Sequence, residues 1–130
     1  MDIEHIATGK LGEAIAEKYL RSKGYSIIER NYRKKCGEID IIAKKDKVVH
    51  FVEVKAGAIS GPFRTEGQDR YDPQDHMHQK KRLRLARTIE LYRMEHRMDA
   101  DVPWTCDLVV VRVRKEDHKA RVRMLTDILL

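Results

Sequence analysis

Hydrophobic and polar positions along the chain follow two helical patterns. In residues 8–23 apolar side chains recur every three or four positions, and Gly24 supplies a stop signal just past this segment. A second helical pattern begins at Asp72-Pro73 and extends to about Met98. The apolar stripes of the two predicted helices consist of Leu11, Ile15, Ala16, Tyr19 and Leu20 in the first, and of Leu85, Ala86, Ile89 and Tyr92 in the second.

The remaining apolar runs have the spacing of β-strands. Residues 25–33 form the first, and residues 37–55 form a hairpin around the charged turn at residues 44–47. The almost continuously apolar run at residues 108–113 is typical of a central strand, whereas residues 121–124 alternate like an edge strand. We therefore predict an α/β fold of order αβββαββ. Its five-stranded mixed sheet is flanked by helices, and its first three strands form an antiparallel meander.

Residues 56–72 follow neither period and contain four Gly or Pro residues. We expect a long loop directly after the hairpin, mobile in the absence of nucleic acid. Its cations Arg64 and Arg70 are candidates for contacts with nucleic-acid phosphates. A disordered loop without such a role is the alternative.

The composition is that of a basic globular protein. The chain has 130 residues, 42% hydrophobic and 37% charged, which fits one domain spanning residues 1–130. Lys and Arg outnumber Asp and Glu by 27 to 21, a formal net charge of +6. A polyanionic partner is the natural inference, and a basic surface without such a partner is the alternative.

Membrane, secretion and zinc signals are missing from the sequence. No apolar run has the length of a bilayer span, and residues 1–5 lack the features of a secretory signal, so we expect a cytoplasmic protein without a membrane partner. Cys36 and Cys106 lack a C-x-x-C spacing, which favours reduced thiols over a zinc site. His76 and His78 diverge in a helical pattern, which argues against a transition-metal site there.

Charged residues interrupt both apolar strands of the hairpin. Alternation places Glu53 and Lys55 on one face, with Val52 and Val54 on the other. On the preceding strand the same rule groups Asp40 with Glu38 and Ile42, opposite Ile39, Ile41 and Ala43. Antiparallel pairing then brings Asp40 close to Glu53. Two such carboxylates offer oxygen ligands to a hard divalent cation, and the nearby lysine can meet an anionic substrate.

Further charged candidates lie on the two predicted helices. Glu13 stands at the border of the first apolar stripe, where its carboxylate can face the hairpin; an ordinary solvated glutamate is the alternative. The second helix carries the basic run at residues 80–84, in which Lys81 lies at the edge of the buried stripe. Together with Arg82 and Arg84 it is a candidate for phosphate contacts, with a solvated helix face as the alternative.

An aspartate followed by Glu-x-Lys after a hairpin turn is the signature of the PD-(D/E)xK nuclease superfamily. The two segments that carry it read Gly37-Glu-Ile-Asp-Ile-Ile and Phe51-Val-Glu-Val-Lys. Nearly the whole chain resembles the YraN-type family of small bacterial proteins, which is similar to archaeal Holliday junction resolvases and adopts a restriction-endonuclease-like fold. The other matching stretches are residues 9–16, 19–20, 24–25, 30–33, 73–92 and 107–111.

This resemblance implies roles for particular residues. Glu13, Asp40, Glu53 and Lys55 match the catalytic positions of the nuclease, and Lys81 matches the lysine of its second helix. The implied cofactor is Mg²⁺, with Mn²⁺ as the alternative, held by Asp40, Glu53 and the backbone carbonyl of Val54. The implied substrate is nucleic acid, DNA in the first place. A homodimer is also implied, since related resolvases need two sites for two symmetric nicks.

Three features depart from the family pattern. Residues 56–58 read Ala-Gly-Ala where an arginine often follows the Glu-x-Lys, and the loop before Lys81 is longer than usual. Thr105 and Cys106 precede Asp107 where Arg-Phe is common. The first two departures concern substrate grip and specificity, and none involves the predicted metal ligands.

Three functions fit these features. The first is a divalent-metal-dependent endonuclease that hydrolyses phosphodiester bonds of DNA, branched DNA included. The second is a nucleic-acid-binding protein that retains the nuclease fold without cutting. The third, an interaction scaffold with an inert acidic pair, fits less well with the complete set of carboxylates and lysine. Metal-dependent cleavage separates the first from the others, and salt-sensitive binding separates the second from the third.

Overall fold

The computed structural model of the protein is a five-stranded sheet with helices packed against it. It describes residues 3–63 and 79–128, and for residues 3–8 the backbone alone. The elements in chain order are α1 (Ile3–Ser22), β1 (Ser26–Lys34), β2 (Gly37–Lys45), β3 (Val48–Ile59), α2 (Gln79–Glu95), β4 (Trp104–Arg114) and β5 (Ala120–Leu125). None of the helices in these ranges is long and apolar enough to cross a bilayer.

The strands lie side by side in the order β1-β2-β3-β4-β5. β1, β2 and β3 form an antiparallel meander, because each pair is joined by a short turn. β4 is parallel to β3, and the chain between them includes α2, as a parallel crossover requires. β5 returns antiparallel to β4. The predicted α/β order, the meander and the mixed sheet are therefore confirmed.

Each face of the sheet buries a separate apolar cluster. Ala16 and Leu20 of α1 pack on one face, against residues of β2, β3 and β4 that include Ile41, Ala43, Val52, Val109, Val111 and Val113. Leu85, Ile89 and Tyr92 of α2 pack on the other, with Tyr32, Ile39, Ile42, Val49, Phe51 and Cys106. Because β4 contributes to both clusters, its apolar run has no polar alternation. This explains the pattern that predicted a central strand: β4 has a neighbour on each side, although β3 is the middle strand of the five.

The strict alternation predicted for β2 is wrong at one residue. Ile39 packs with Ile42 in the cluster under α2, whereas Ile41 lies under α1. Ile39 therefore does not share the face of Ile41, as period 2 requires. The neighbouring strand is irregular as well: its pairing shifts between Ile27 and Glu29, and Asn31 has a φ of 53°.

The predicted start of the loop at Ala56 is also wrong. β3 continues to Ile59 and pairs with β4 as far as Arg114. Residues 56–58 are small and show no alternation of polar and apolar side chains, but packing requires a small side chain at Ala56. α1 approaches so closely at Gly12 that a Cβ on this glycine would clash with the Cβ of Ala56. The rest of the predicted loop from residue 64 onwards, with Arg64 and Arg70, lies outside the described residues.

The helix boundaries differ from the sequence prediction as well. α1 begins at Ile3, earlier than predicted, and Leu11 of its predicted apolar stripe is 43% exposed. α2 ends at Glu95, before Met98. Its predicted entry at Asp72-Pro73, together with His76 and His78, falls outside the part of the chain that the structure describes.

Candidate active site

Asp40 and Glu53 meet where β2 and β3 part. The last residues paired between these strands are Ile41 and Val52, and the two carboxylates stand one position beyond them. The backbone N–H of Val54 donates to Asp40 Oδ2 over 2.8 Å. Glu53 is almost fully buried, at 8% exposure, and Asp40 is half-buried. The hairpin thus holds two carboxylates side by side at the edge of the core, as its sequence predicted.

The acidic pair is electrostatically strained. Burial, and then the charge of Glu53, raise the pKa of Asp40 to about 8, with a further contribution from Glu13. The hydrogen bond from Val54 acts in the opposite direction without balancing them. Asp40 is therefore largely protonated at neutral pH unless a cation compensates the charge. A divalent cation between the two carboxylates would supply that compensation.

Lys81 of α2 provides a positive charge at this point. Its Nζ lies 2.7 Å from Glu53 Oε1. The lysine side chain is 50% exposed, whereas that of Glu53 is only 10% exposed. Lys81 therefore reaches in from solvent on a flexible stem, so it can leave Glu53 without disturbing the core.

A cavity of about 420 Å³ opens above the acidic pair. Its lining residues come from β2, β3 and α2: Gly37, Glu38, Asp40, Glu53, Val54, Lys81, Arg84 and Leu85. That volume lies within the range of small-ligand sites and leaves room for a hydrated ion and a phosphate group. Gly37 shapes one wall, since a Cβ there would lie 2.9 Å from Thr88 Oγ1.

Glu13 approaches the pair from α1 and is held by an asparagine that sequence reasoning did not assign. In the amide orientation that satisfies both of its ends, Asn31 donates to Glu13 Oε1 over 3.2 Å and to Glu38 Oε1 over 3.0 Å. Asn31 stands at the irregular point of β1 with a left-handed φ, which asparagine tolerates well. Asparagine is uncommon inside strands, so its presence in the predicted first strand was the sequence signal for this role.

The other residues predicted for the site are Lys55 on β3 and Arg82 and Arg84 on α2, and only some of them line the cavity. Lys55 is exposed and follows Glu53 by two positions on β3, opposite Val110 of β4. Arg84 lines the cavity, whereas Arg82 is not among its lining residues. The structure thus brings together Asp40, Glu53 and Lys81 at the cavity, whereas Glu13 and Lys55 are not among its lining residues and Glu13 acts on Asp40 through its charge.

The two carboxylates are oxygen donors of the kind that a magnesium ion uses. In residues 3–63 and 79–128 no group of three or more His, Cys, Asp or Glu side chains is arranged to hold a metal ion. Mg²⁺ commonly uses one or two carboxylates and completes its octahedron with water and substrate phosphates. Asp40 and Glu53 match that pattern.

A second polar cluster lies on the other face, near the start of β3. His50 Nδ1 is 2.6 Å from Oδ2 of the buried Asp107 and 2.9 Å from Thr105 Oγ1. The other oxygen of Asp107 accepts a 2.8 Å bond from the backbone N–H of Asp127. This cluster fastens the segment after β5 to the sheet. The unusual Thr105 therefore has a structural explanation outside the candidate active site.

Comparison with known proteins places this chain among bacterial relatives. A family model described as "Uncharacterised protein family UPF0102" matches residues 12–113. The chain belongs to the UPF0102 family. It is 39% identical to a UPF0102 protein of Campylobacter lari over 119 residues, which cover 92% of this chain and 94% of the relative. A UPF0102 protein of Alkaliphilus oremlandii is 35% identical over 114 residues, 88% of this chain and 90% of the relative. The UPF0102 match includes Glu13, Asp40, Glu53 and Lys55.

Proposed function

We propose that this protein is a cytoplasmic, divalent-metal-dependent endonuclease with a restriction-endonuclease-like fold, and that it hydrolyses phosphodiester bonds of DNA. The strongest support is the position of Asp40 beside Glu53. Two partly or fully buried carboxylates on adjacent strands destabilise each other, and a cation-dependent function gives a reason for that cost. The resemblance to the PD-(D/E)xK nucleases points to the same residues.

The cation itself would supply Lewis acidity and a water of lowered pKa. Asp40 and Glu53 would hold it, with the Val54 N–H fixing the orientation of the Asp40 carboxylate. Lys55 is exposed and shares the face of Glu53 on β3. It would orient the attacking water or neutralise negative charge on the phosphate as the P–O bond breaks. Glu13, held by Asn31, would add negative charge at the outer edge of the cation site.

Substrate binding would rely on the cations that surround the acidic pair. Lys81 and Arg84 form the α2 side of the cavity, and both are exposed enough to contact phosphates. Arg82 on the same helix, and Arg64 and Arg70 in the segment before it, remain candidates for further phosphate contacts. We include branched DNA among the substrates. Cutting a junction symmetrically would require a homodimer with two such sites.

A non-catalytic DNA-binding protein is the second candidate, and one observation favours it. Lys81 already gives Glu53 a cation, at 2.7 Å. A permanent ion pair would leave the acidic pair without need of a metal. In that case the basic surface would bind nucleic acid and no cleavage would follow.

Cleavage assays with defined nucleic acids separate these functions. Labelled single-stranded DNA, duplex DNA, a four-way junction and RNA would each be incubated with Mg²⁺, Mn²⁺ or EDTA. The proposed nuclease cuts at least one of the DNA substrates with either ion and none in EDTA. Salt-sensitive binding with no cleavage under any of these conditions would instead support the second candidate.

A further inference from the structure

Four cations on β3, β4 and β5 form two rows across the sheet. Lys55 is paired with Val110, and Val110 in turn with Arg123, so these three side chains form one row. The next row contains Gly57, Arg112 and Arg121 in the same way. Directly paired residues point to the same face of a sheet. We call Lys55, Arg112, Arg121 and Arg123 the strand-face cations.

The strand-face cations lie on the face that carries Glu53. Their neighbours along the strands pack in the cluster under α1; these include Val54, Ala56, Val111, Val113, Val122 and Met124. Because side chains alternate along a strand, the four cations must point to the opposite face. Glu53 precedes Lys55 by two residues and therefore shares that face. The rows thus begin next to the acidic pair and extend away from it to the edge strand β5.

The two rows place several cations close together. Arg112 stands directly opposite Arg121, and like charges in such pairs destabilise a sheet. Arg123 adds a third guanidinium two residues away on β5. The next cation along β4, Arg114, is balanced by Asp117 through bonds of 3.0 and 2.7 Å. Arg112 and Arg123 also interact within the protein, and a phosphate would share or replace those contacts.

The charges can be reached from solvent. Lys55 and Arg123 are exposed, and Arg112 and Arg121 are half-buried. Guanidinium groups suit phosphate oxygens because their planar donors can bind two oxygens at once. A surface with several fixed cations in rows fits a repeating anion better than a single small one.

We propose that the strand-face cations bind the phosphodiester backbone of a nucleic acid as it passes from the cavity over β4 to β5. The nature of the polyanion rests on the proposed function. Lys81 and Arg84 of α2 contribute positive charge at the cavity itself. The nucleic-acid strand is therefore held both beside the acidic pair and farther along the sheet, towards β5. Arg121 and Arg123 lie outside residues 12–113, the range of the family match. This part of the surface is therefore a feature of this chain that the family match does not cover.

Binding without cleavage tests the surface directly. The probe is a fluorescein-labelled DNA duplex of roughly 30 base pairs, titrated in EDTA over a series of salt concentrations. In the double variant Arg121→Ala/Arg123→Ala, affinity should fall by about an order of magnitude at physiological salt. The slope of log affinity against log salt should become shallower by about 1.8, since each lost duplex phosphate contact accounts for about 0.9.

Three variants make the test specific. Lys18→Ala/Lys23→Ala removes the same charge from exposed positions on and just after α1, and should leave the slope near that of the parent protein. Arg121→Lys/Arg123→Lys keeps the charge and should restore the slope. Arg123→Ala alone, at an exposed position of an edge strand, should remove about half of the effect even if the double variant folds poorly.

The outcomes also separate this inference from the proposed nuclease. A folded Arg121→Ala/Arg123→Ala protein with the affinity and salt slope of the parent would refute the proposal that this surface binds nucleic acid, whether or not the protein cuts DNA. A shallower slope in a protein that cuts no substrate would support the surface and count against the nuclease. Equal losses in the Lys18→Ala/Lys23→Ala control would show a general charge effect and would also overturn the inference.

Discussion

At the scale of single residues, the acidic pair could bind a cation, but it lowers the stability of the fold. Asp40 accepts one backbone hydrogen bond but faces burial and the charge of Glu53. Residues kept in such an environment are commonly functional, because the fold alone gains nothing from them. The pKa of Asp40 makes that cost measurable.

Replacing Asp40 with Asn should stabilise the protein in a pH-dependent way. The pKa of Asp40 is about 8 in the folded state and near its ordinary value of 3.8 in the unfolded state. Between these values the folded protein retains a proton that the unfolded chain releases, so the parent loses stability as the pH rises. Asn cannot ionise, and its oxygen can still accept the Val54 N–H.

The Asp40→Asn variant should match the parent near pH 4 and exceed its free energy of unfolding by up to about 5 kcal/mol near pH 8, the equivalent of a pKa that rises from 3.8 to about 8 on folding. Urea denaturation in EDTA measures the difference. Glu90→Gln, at an exposed position on α2, is the matched control and should show no such trend. An equal difference between Asp40→Asn and the parent at both pH values would refute the electrostatic account.

The contact between Lys81 and Glu53 leads to a prediction about metal binding. Lys81 and a divalent cation would compete for the same carboxylate, so Lys81→Met should bind Mn²⁺ more tightly than the parent. We expect a gain of roughly threefold to tenfold in the absence of nucleic acid, the size of one charged hydrogen bond in partly exposed surroundings. Titration calorimetry measures it.

Lys80→Met is the control for this experiment, because Lys80 is the exposed neighbour on the same helix. It removes the same charge from the surface without touching Glu53. If Lys81→Met bound Mn²⁺ no better than Lys80→Met, Lys81 would not be a competitor for the cation site.

At the scale of elements, the position of Glu13 depends on how closely α1 packs on β3. Gly12 precedes Glu13 and lies against Ala56 with no room for a Cβ. Any shift of α1 here would also shift Glu13. Ala56, the first residue after the Glu-x-Lys, thus has a packing role in β3, which the sequence pattern could not reveal because small residues show no strand period.

Gly12→Ala should therefore destabilise the protein by about 1–3 kcal/mol through overpacking. Gly9→Ala is a matched control on the same helix, since a Cβ there meets nothing within 4 Å. It should stabilise the protein by about 0.5–1 kcal/mol, because alanine favours the helix. Chemical denaturation of both variants measures the contrast.

The double variant Gly12→Ala/Ala56→Gly provides the second half of this experiment. Removing the Cβ of Ala56 makes room for that of residue 12. The two changes should therefore be less harmful together than their sum. Additive losses would show that the close approach of α1 to β3 does not determine stability at this point.

At the scale of the whole molecule, periodicity predicted the fold well because the two clusters occupy opposite faces of one sheet. The hairpin motif also predicted that Asp40 and Glu53 would meet. The prediction failed where a local irregularity overrode the period, as at Ile39. The rows that contain Arg121 and Arg123 could not be predicted, since they depend on the register between β3, β4 and β5.

The central claim is that Asp40 and Glu53 form the metal centre of a nuclease, and Glu53→Gln tests it most directly. This change keeps the size and strand position of the side chain but removes the charge that a cation needs. Single-turnover cleavage of the preferred DNA substrate would be compared with that of the parent and the Glu90→Gln control. We predict a loss of at least about 100-fold in Glu53→Gln, with DNA binding in EDTA unchanged or slightly tighter. Cleavage by Glu53→Gln at the parent rate, in a preparation free of contaminating nuclease, would contradict the assignment.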